Sequence, residues 1–333
     1  MGLITFNGVS SSAYGIVVES CPNYQAAPRK VEYISVEGRN GDLVRDTGYY
    51  SNVEQAYEIW FADPGKTFQE LASAVAMWLL GSKGYCRLED DYYPDVYRMA
   101  CYSKLIENRN FLNRKGRATL VFSCKPQRFL KSGESSSVVT GNKLTNDYMD
   151  CYPIFSCTNN GSVTYGENTF TIANNPGTLY IDTETQDAWA GSATVDEHLF
   201  LGSQYISTVS DTWGVFVPVR FMSLSAFYLE YEMTTWLGST HGIVEMKGNT
   251  SSSFTVTVDP STTVTIAHTA NVLSASFTLD AGNAVGIKAT LHSRLNCNNC
   301  VSGTLGSVPN GGCSFSKTNS SMTVNWIPRW WVL

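Results

Sequence analysis

From residue 150 to the C-terminus no stretch carries apolar residues at helical spacing, whereas segment after segment alternates apolar and polar residues and then breaks at Gly, Asn, Asp or Pro. Side chains two apart share one face of a strand, so such runs are stable only where a second layer covers that face. Most of the chain is thereby committed to β structure. Val163 and Tyr165, a Gly-Glu-Asn turn, Phe170 and Ile172, then Leu179 and Ile181 make the first series. Within residues 192–292 at least six more runs follow, among them Phe227, Leu229, Tyr231 and Met233, and Val285, Ile287, Ala289 and Leu291. Short strands at this spacing predict a β-sandwich.

The first third differs. Val53, Gln55, Tyr57, Ile59 and Phe61 alternate on one strand face, and Ala118, Leu120 and Phe122 on another. Between them lies one helical pattern, opened by Thr67 with Glu70 three positions on as a capping box and closed at Gly81; Leu71, Ala74, Val75, Trp78 and Leu79 form its apolar stripe. With strands expected near 85–89, 95–106 and 117–124, residues 1–131 read as one α+β domain in which the helix covers a sheet. Lys131 to Ser137, reading KSGESSS, has the composition of a linker and places the first boundary there.

Charge and cysteine content exclude several classes. Residues 1–131 hold 16 Lys and Arg against 14 acids, and residues 132–333 hold 7 against 15, so no dense basic cluster of the kind that drives phosphate-backbone binding is present. Residues 1–20 lack a basic stretch followed by an apolar core, and no run approaches the roughly 18 apolar residues a spanning helix needs. The chain is therefore expected to be made and first held in the cytoplasm. Nine irregularly spaced cysteines do not form a disulfide framework in a chain of 333 residues and are expected to be mostly free, buried thiols.

Four pieces of the first third resemble, in the right order, the distal tail proteins of siphophages: ITFNGVSSSAYGIVV at 4–18; VEGRNGDL at 36–43 followed by Asp46, Gly48 and Tyr50; YPDVYR at 93–98; and FSCKPQRF at 122–129. Further on, GTLYIDTETQD at 177–187 resembles the family's strand and acidic turn, here with Thr183 in the middle place, and IPRWW at 327–331 resembles its closing strand. The resemblance implies an N-terminal ring-forming domain, here 1–131, and a galectin-like C-terminal β-sandwich. In this chain that sandwich is split, 132–191 and 293–333, by an insertion at 192–292 that reads as a β-sandwich of its own. The expected fold class is thus mainly β: an α+β ring domain with one helix, then a sandwich interrupted by a second sandwich.

The resemblance further implies a structural, non-enzymatic role: a homohexameric ring at the virion's tail tip, a baseplate hub joining the tail-tube protein to the tail-associated baseplate protein. Receptor-binding proteins and a host cell-wall glycan are further implied partners, with no sequence-specific nucleic-acid contact, no membrane span and no cofactor. Family members with extra sandwiches commonly use them as carbohydrate-binding modules, so a chain that is chiefly a lectin-like adhesion module is the alternative. Catalytic motifs give no competing reading: there is no G-x-S-x-G, P-loop, H-E-x-x-H or dinucleotide fingerprint.

Individual residues carry two readings each. Gly38 and Gly41 flank Arg39 and Asn40 in a turn that suits positive φ; Arg39 and Asp42 belong either to a plain hairpin or to a subunit contact of the ring. In the insert, Trp213, Tyr228, Tyr231 and Trp236 are glycan-binding candidates, because flat aromatic rings beside polar groups suit sugars; ordinary packing is the other reading. Trp326, Trp330 and Trp331 fit a core lock better than a sugar platform. Glu89, Asp90, Asp91 and Asp95 read as a solvated turn rather than a calcium loop. His292, Cys297, Cys300 and Cys313 form a weak zinc candidate around a lone C-x-x-C, against reduced cysteines without metal.

Overall fold

A computed structural model describes residues 2–23, 25–63, 65–104, 108–111, 115–191, 197–207, 213–224, 226–247, 250–269, 272–279 and 283–333. The protein is mainly β, and the buried apolar side chains of the described residues gather into three clusters, one from the first third, one from residues 144–190 with 297–326 and Tyr228, and one from the other buried residues of 206–291.

The first cluster lies between a nine-stranded antiparallel sheet and the helix Phe68–Leu80. Both halves of the capping box form: Glu70 N–H donates to the Thr67 hydroxyl and Thr67 N–H donates to the Glu70 carboxylate. Leu71, Val75, Trp78 and Leu79 are buried against the sheet, with Ala74 at the margin. Along Val53–Ala62, Val53, Gln55, Tyr57 and Ile59 point inward, opposite Ala118, Leu120 and Phe122 on Lys115–Leu130. The pieces YPDVYR and FSCKPQRF meet here: Phe129 pairs with Tyr97 across the ladder, their rings stack 5.3 Å apart, and Arg87 lies over Tyr97.

The stretch with linker composition, 131–137, makes contacts to the first sheet at its start. It starts as a 3₁₀ turn, Lys131–Glu134, with Lys131 paired to Glu89, Glu134 paired to Arg87, and the Lys131 amide donating to Asp95 O at 2.9 Å. Ion pairs hold in place residues whose composition alone suggests a tether.

The second cluster is a sandwich of a six-stranded and a five-stranded sheet, and each draws strands from both sides of the insertion. Val324–Ile327 pairs with Ile154–Cys157, and Cys313–Lys317 pairs with Gly161–Tyr165. Leu295–Asn296 pairs with Asp187–Ala190, so the chain leaves and re-enters this layer on adjacent strands. Phe155, Tyr165 and Phe170 fill the middle, each contributing on the order of 1.5–3 kcal/mol by burial. The acidic turn and the closing segment also meet: Asp182 caps the turn by accepting from Glu184 N–H at 2.8 Å and receives both Arg329 Nη atoms, at 3.0 and 2.7 Å. The closing segment departs from the expected single strand. Val324–Ile327 belongs to the sandwich, Arg329 turns the chain at φ +53°, and Trp331–Val332 crosses to pair with Arg128 and Phe129 of the first sheet. Trp326 is buried, and Trp330 and Trp331 pack half-buried on the same core.

The third cluster lies between two four-stranded sheets. One has the order His198–Ile206, Val285–His292, Phe227–Thr234, Ser239–Met246; the other runs Trp213–Phe216, Val272–Thr278, Thr262–Thr269, Ser252–Asp259. Phe227, Leu229, Tyr231 and Met233 pack with Val264, Ile266, Leu273 and Phe277 in the core. One helical turn, Val219–Met222 after Pro218, is additional to the strand-only pattern; Pro218 sets its start, and Phe221 anchors it in the core.

Candidate functional site

Two surfaces stand out. The first is the hairpin Arg29–Ile34 with Leu43–Tyr50, a two-stranded sheet that pairs with no other strand among the described residues. Its base is anchored through Ala27 and Tyr50, which belong to or pack on the first core. Beyond the base, Tyr33, Ile34, Val36, Leu43, Val44 and Tyr49 are exposed, Tyr33 by 69% and Val44 by 61%. The two strands are held by Arg29 and Asp46, 2.5 Å apart, and by Arg45 and Glu32 at 3.5 Å. Gly48 N–H donates to Asp46 at 2.9 Å, and this bond, with Arg29, holds the Asp46 carboxyl below its ordinary range. Gly38 and Gly41 take φ +81° and +80° at the turn, and Arg39 and Asp42 sit exposed beside them.

The second surface is the outer face of the sheet containing Phe227–Thr234. On its strand Glu230 lies between two histidines: His241 Nε2 and His292 Nε2 each donate, at 2.9 Å, to a separate carboxylate oxygen. The hydrogen bonds from His241 and then His292 hold the Glu230 carboxyl below the usual glutamate range. His198 pairs with His292 across the ladder, with ring centres 6.3 Å apart. Three of the four histidines, far apart in sequence, therefore share this face. Nearby, Lys288 Nζ approaches Glu232 at 3.4 Å. Beside that pair an open groove of about 450 Å³ is lined by Tyr205, Gln204, Glu232, Thr234, Gly286 and Lys288.

One end of the same face is closed. Tyr228, on the side opposite Phe227 and Leu229 as alternation requires, meets the split sandwich instead of water and is 2% exposed. Its hydroxyl lies by Gly177 and its ring by Gly191, where a Cβ would come within 3.2 Å of Cε2. Trp213 and Tyr231 are buried in the insert's own core. These three rings offer no face to a ligand; packing accounts for them. Trp236 is different, 76% exposed at the turn between two strands whose Thr235 is tied to Asp259 at 2.6 Å.

Of the zinc candidates Cys297 and Cys300 lie together, and the other two are elsewhere. His292 is engaged by Glu230, Cys313 lies beside Gly166, and Cys300 points at Asn174 O, 3.7 Å away. Among the described residues no group of three or more ligand-type side chains is placed to hold a metal ion. Burial pushes the thiols of Cys124, Cys151 and Cys157 up to about 12 and that of Cys297 up to about 11, so they stay protonated at neutral pH. The acids at 89–95 are accounted for locally: Asp90 accepts from Tyr92 N–H, Tyr93 N–H and the Tyr57 hydroxyl, and Asp91 accepts from Leu3 N–H, each at 2.9 Å. No helix among the described residues is long and apolar enough to cross a membrane.

Neither a family model nor a curated protein matches the chain. Among solved structures it is similar to the SPP1 Dit (gp 19.1) protein, described as a paradigm of hub adsorption apparatus in Gram-positive-infecting phages, with a TM-score of 0.46 and 9% identity over 87% of this chain and 99% of that one.

Proposed function

We propose that the chain is a structural protein of a siphophage tail tip, a distal tail protein whose first third, 1–131, closes into a homohexameric ring. The observation that carries this reading is the hairpin of residues 29–50. An isolated two-stranded ribbon is marginal in water, and this one exposes the apolar pairs Tyr33 with Val44 and Ile34 with Leu43, one on each face, with no cover among the described residues. A heterologous contact, in which the hairpin of one subunit lies on a different surface of the next, covers it and closes a ring when its rotation fits the symmetry. Arg39 and Asp42 then sit at the contact. The sequence pieces at 4–18, 36–43, 93–98 and 122–129 support the same assignment.

In this reading the galectin-like sandwich of 132–191 and 293–333 sits outside the ring, and the insert, 192–292, projects toward the host and binds surface carbohydrate. The tail-tube protein, the tail-associated baseplate protein and receptor-binding proteins are the assembly partners, and the role is mechanical and adhesive, exercised in the virion after assembly in the bacterial cytoplasm. Electron microscopy of the purified full chain tests it: six-fold rings with an open lumen are expected, and single-chain particles at every concentration would contradict it. A chain that is chiefly a lectin-like module is favoured only by the exposed rings of the insert and predicts saccharide binding without a ring.

A further inference from the structure

We infer that the groove beside Tyr205 is a binding site for a neutral saccharide chain, with Tyr205 as its stacking platform. The inference deepens the adhesive part of the function proposed above and rests on it.

The strand His198–Ile206 begins with Leu199 and Leu201 packed toward the insert's core, so plain alternation would send Tyr205 inward as well. It does not go there. The pairing register slips between Phe200 and Gly202, and Gly202 takes φ +113°, a bulge that only glycine forms without strain. After the bulge Ile206 occupies the core and Tyr205 faces out, 72% exposed. Bulges of this kind re-aim a side chain at the cost of ladder regularity.

Across the ladder Tyr205 pairs with Gly286, and a Cβ there would come within 3.2 Å of the ring. The bare backbone lets the ring lean over the neighbouring strand at the groove's edge. Hydrogen-bonding groups of both kinds face the same space: the Glu232 carboxylate accepts, the Lys288 ammonium donates, and the Ser203 and Thr234 hydroxyls do both. An exposed ring beside such groups matches a pyranose, whose C–H face is apolar and whose rim is all hydroxyl. Phe200, 55% exposed, lies on the same face opposite Thr290, four residues along the strand from Gly286 and hence about 13 Å away. That interval suits several linked sugars.

Charge selects among saccharides. Residues 192–292 carry three Lys or Arg against eight Asp or Glu, and Lys288 is already matched by Glu232. A polyanion would meet net repulsion, whereas a neutral chain meets none. The groove is open, so it accepts the interior of a polymer without enclosing an end.

The test is an array of neutral and anionic oligosaccharides probed with the full chain, followed by titration of the retained ones against variants. Neutral oligosaccharides are expected to be retained. Tyr205→Ala should weaken them about tenfold, the loss of one aromatic contact. Gly286→Val, which pushes the ring aside, and Glu232→Gln should weaken them too. Phe216→Ala, which removes an equally exposed ring from the other sheet, should bind like wild type. Retention of anionic glycans alone, retention of none, or equal binding by wild type and Tyr205→Ala each overturns the inference. Particle size measured on the same samples separates the two proposals: rings that bind no saccharide sink this inference alone, and single chains that bind through Tyr205 sink the ring alone.

Discussion

The hairpin 29–50 and the strands lying between His198 and His292 are both antiparallel structure, yet they differ in how their apolar faces are covered. The strands between His198 and His292 form two sheets with a core of their own, so they bury their apolar faces against each other and leave separate rings outside, Phe200, Tyr205, Phe216 and Trp236 among them. The hairpin has one layer, with Tyr33, Val44 and Tyr49 turned to water. An apolar strand face is stable against a second layer, and where the described residues supply none the proposed ring supplies it from the next subunit. The first region is therefore read as assembly surface and the second as a self-sufficient module.

The comparison breaks most sharply on the hairpin. Val44→Asp is expected to leave the single chain as stable as wild type, within about 0.5 kcal/mol because the site is exposed, yet to abolish the ring, with particle mass as the readout. A loss of folding instead would make the hairpin part of the parent core. Phe227→Ala probes the other side. It should cost the insert ~3–5 kcal/mol, read as a lowered unfolding transition, while ring formation persists. Should the ring dissolve, the insert is not a separate module.

Smaller effects refine where the layers are joined. Arg329→Met removes both hydrogen bonds to Asp182 and should destabilise the split sandwich by about 1.5–3 kcal/mol in urea titration, leaving the insert's transition in place. Glu230→Gln gives the smallest change and a pH signature. The folded carboxyl lies below its unfolded value, so its contribution is present above about pH 4.3 and is lost as pH falls through the folded value. Wild type and variant should thus differ at pH 6 and converge in strong acid; a constant difference would show that the carboxylate's pairing with His241 and His292 is not what stabilises.

Much of this was legible in the order of residues. The helix from Thr67 to Gly81 was, because capping box and apolar stripe agree, and so were the core faces at 53–59, 118–122, 227–233 and 285–291, because alternation maps directly onto burial. What lay outside the sequence was register and cover. Alternation correctly placed Tyr228 opposite Phe227, but only the meeting of two sandwiches turns that outer face into an interior. The bulge at Gly202 flips Tyr205 outward without any local signal beyond one glycine, and alternation alone does not distinguish that exposed ring from the buried Trp213 and Tyr231. The Glu230 cluster joins positions 11 and 62 residues apart, which no spacing rule connects. Composition at 131–137 gives no sign that Lys131 and Glu134 pair with Glu89 and Arg87 of the first sheet.

Hydrogen–deuterium exchange across a dilution series tests the central claim most directly, since both regions report in one experiment. Amides of Phe227–Thr234 and Val285–His292 should exchange slowly at every concentration, because their cover is internal. Amides of Arg29–Ile34 and Leu43–Tyr50 should exchange fast in the dilute single chain and slow as subunits assemble. Equal protection of the hairpin in the dilute chain, or fast exchange that persists in concentrated protein, would contradict a hairpin completed by its neighbour.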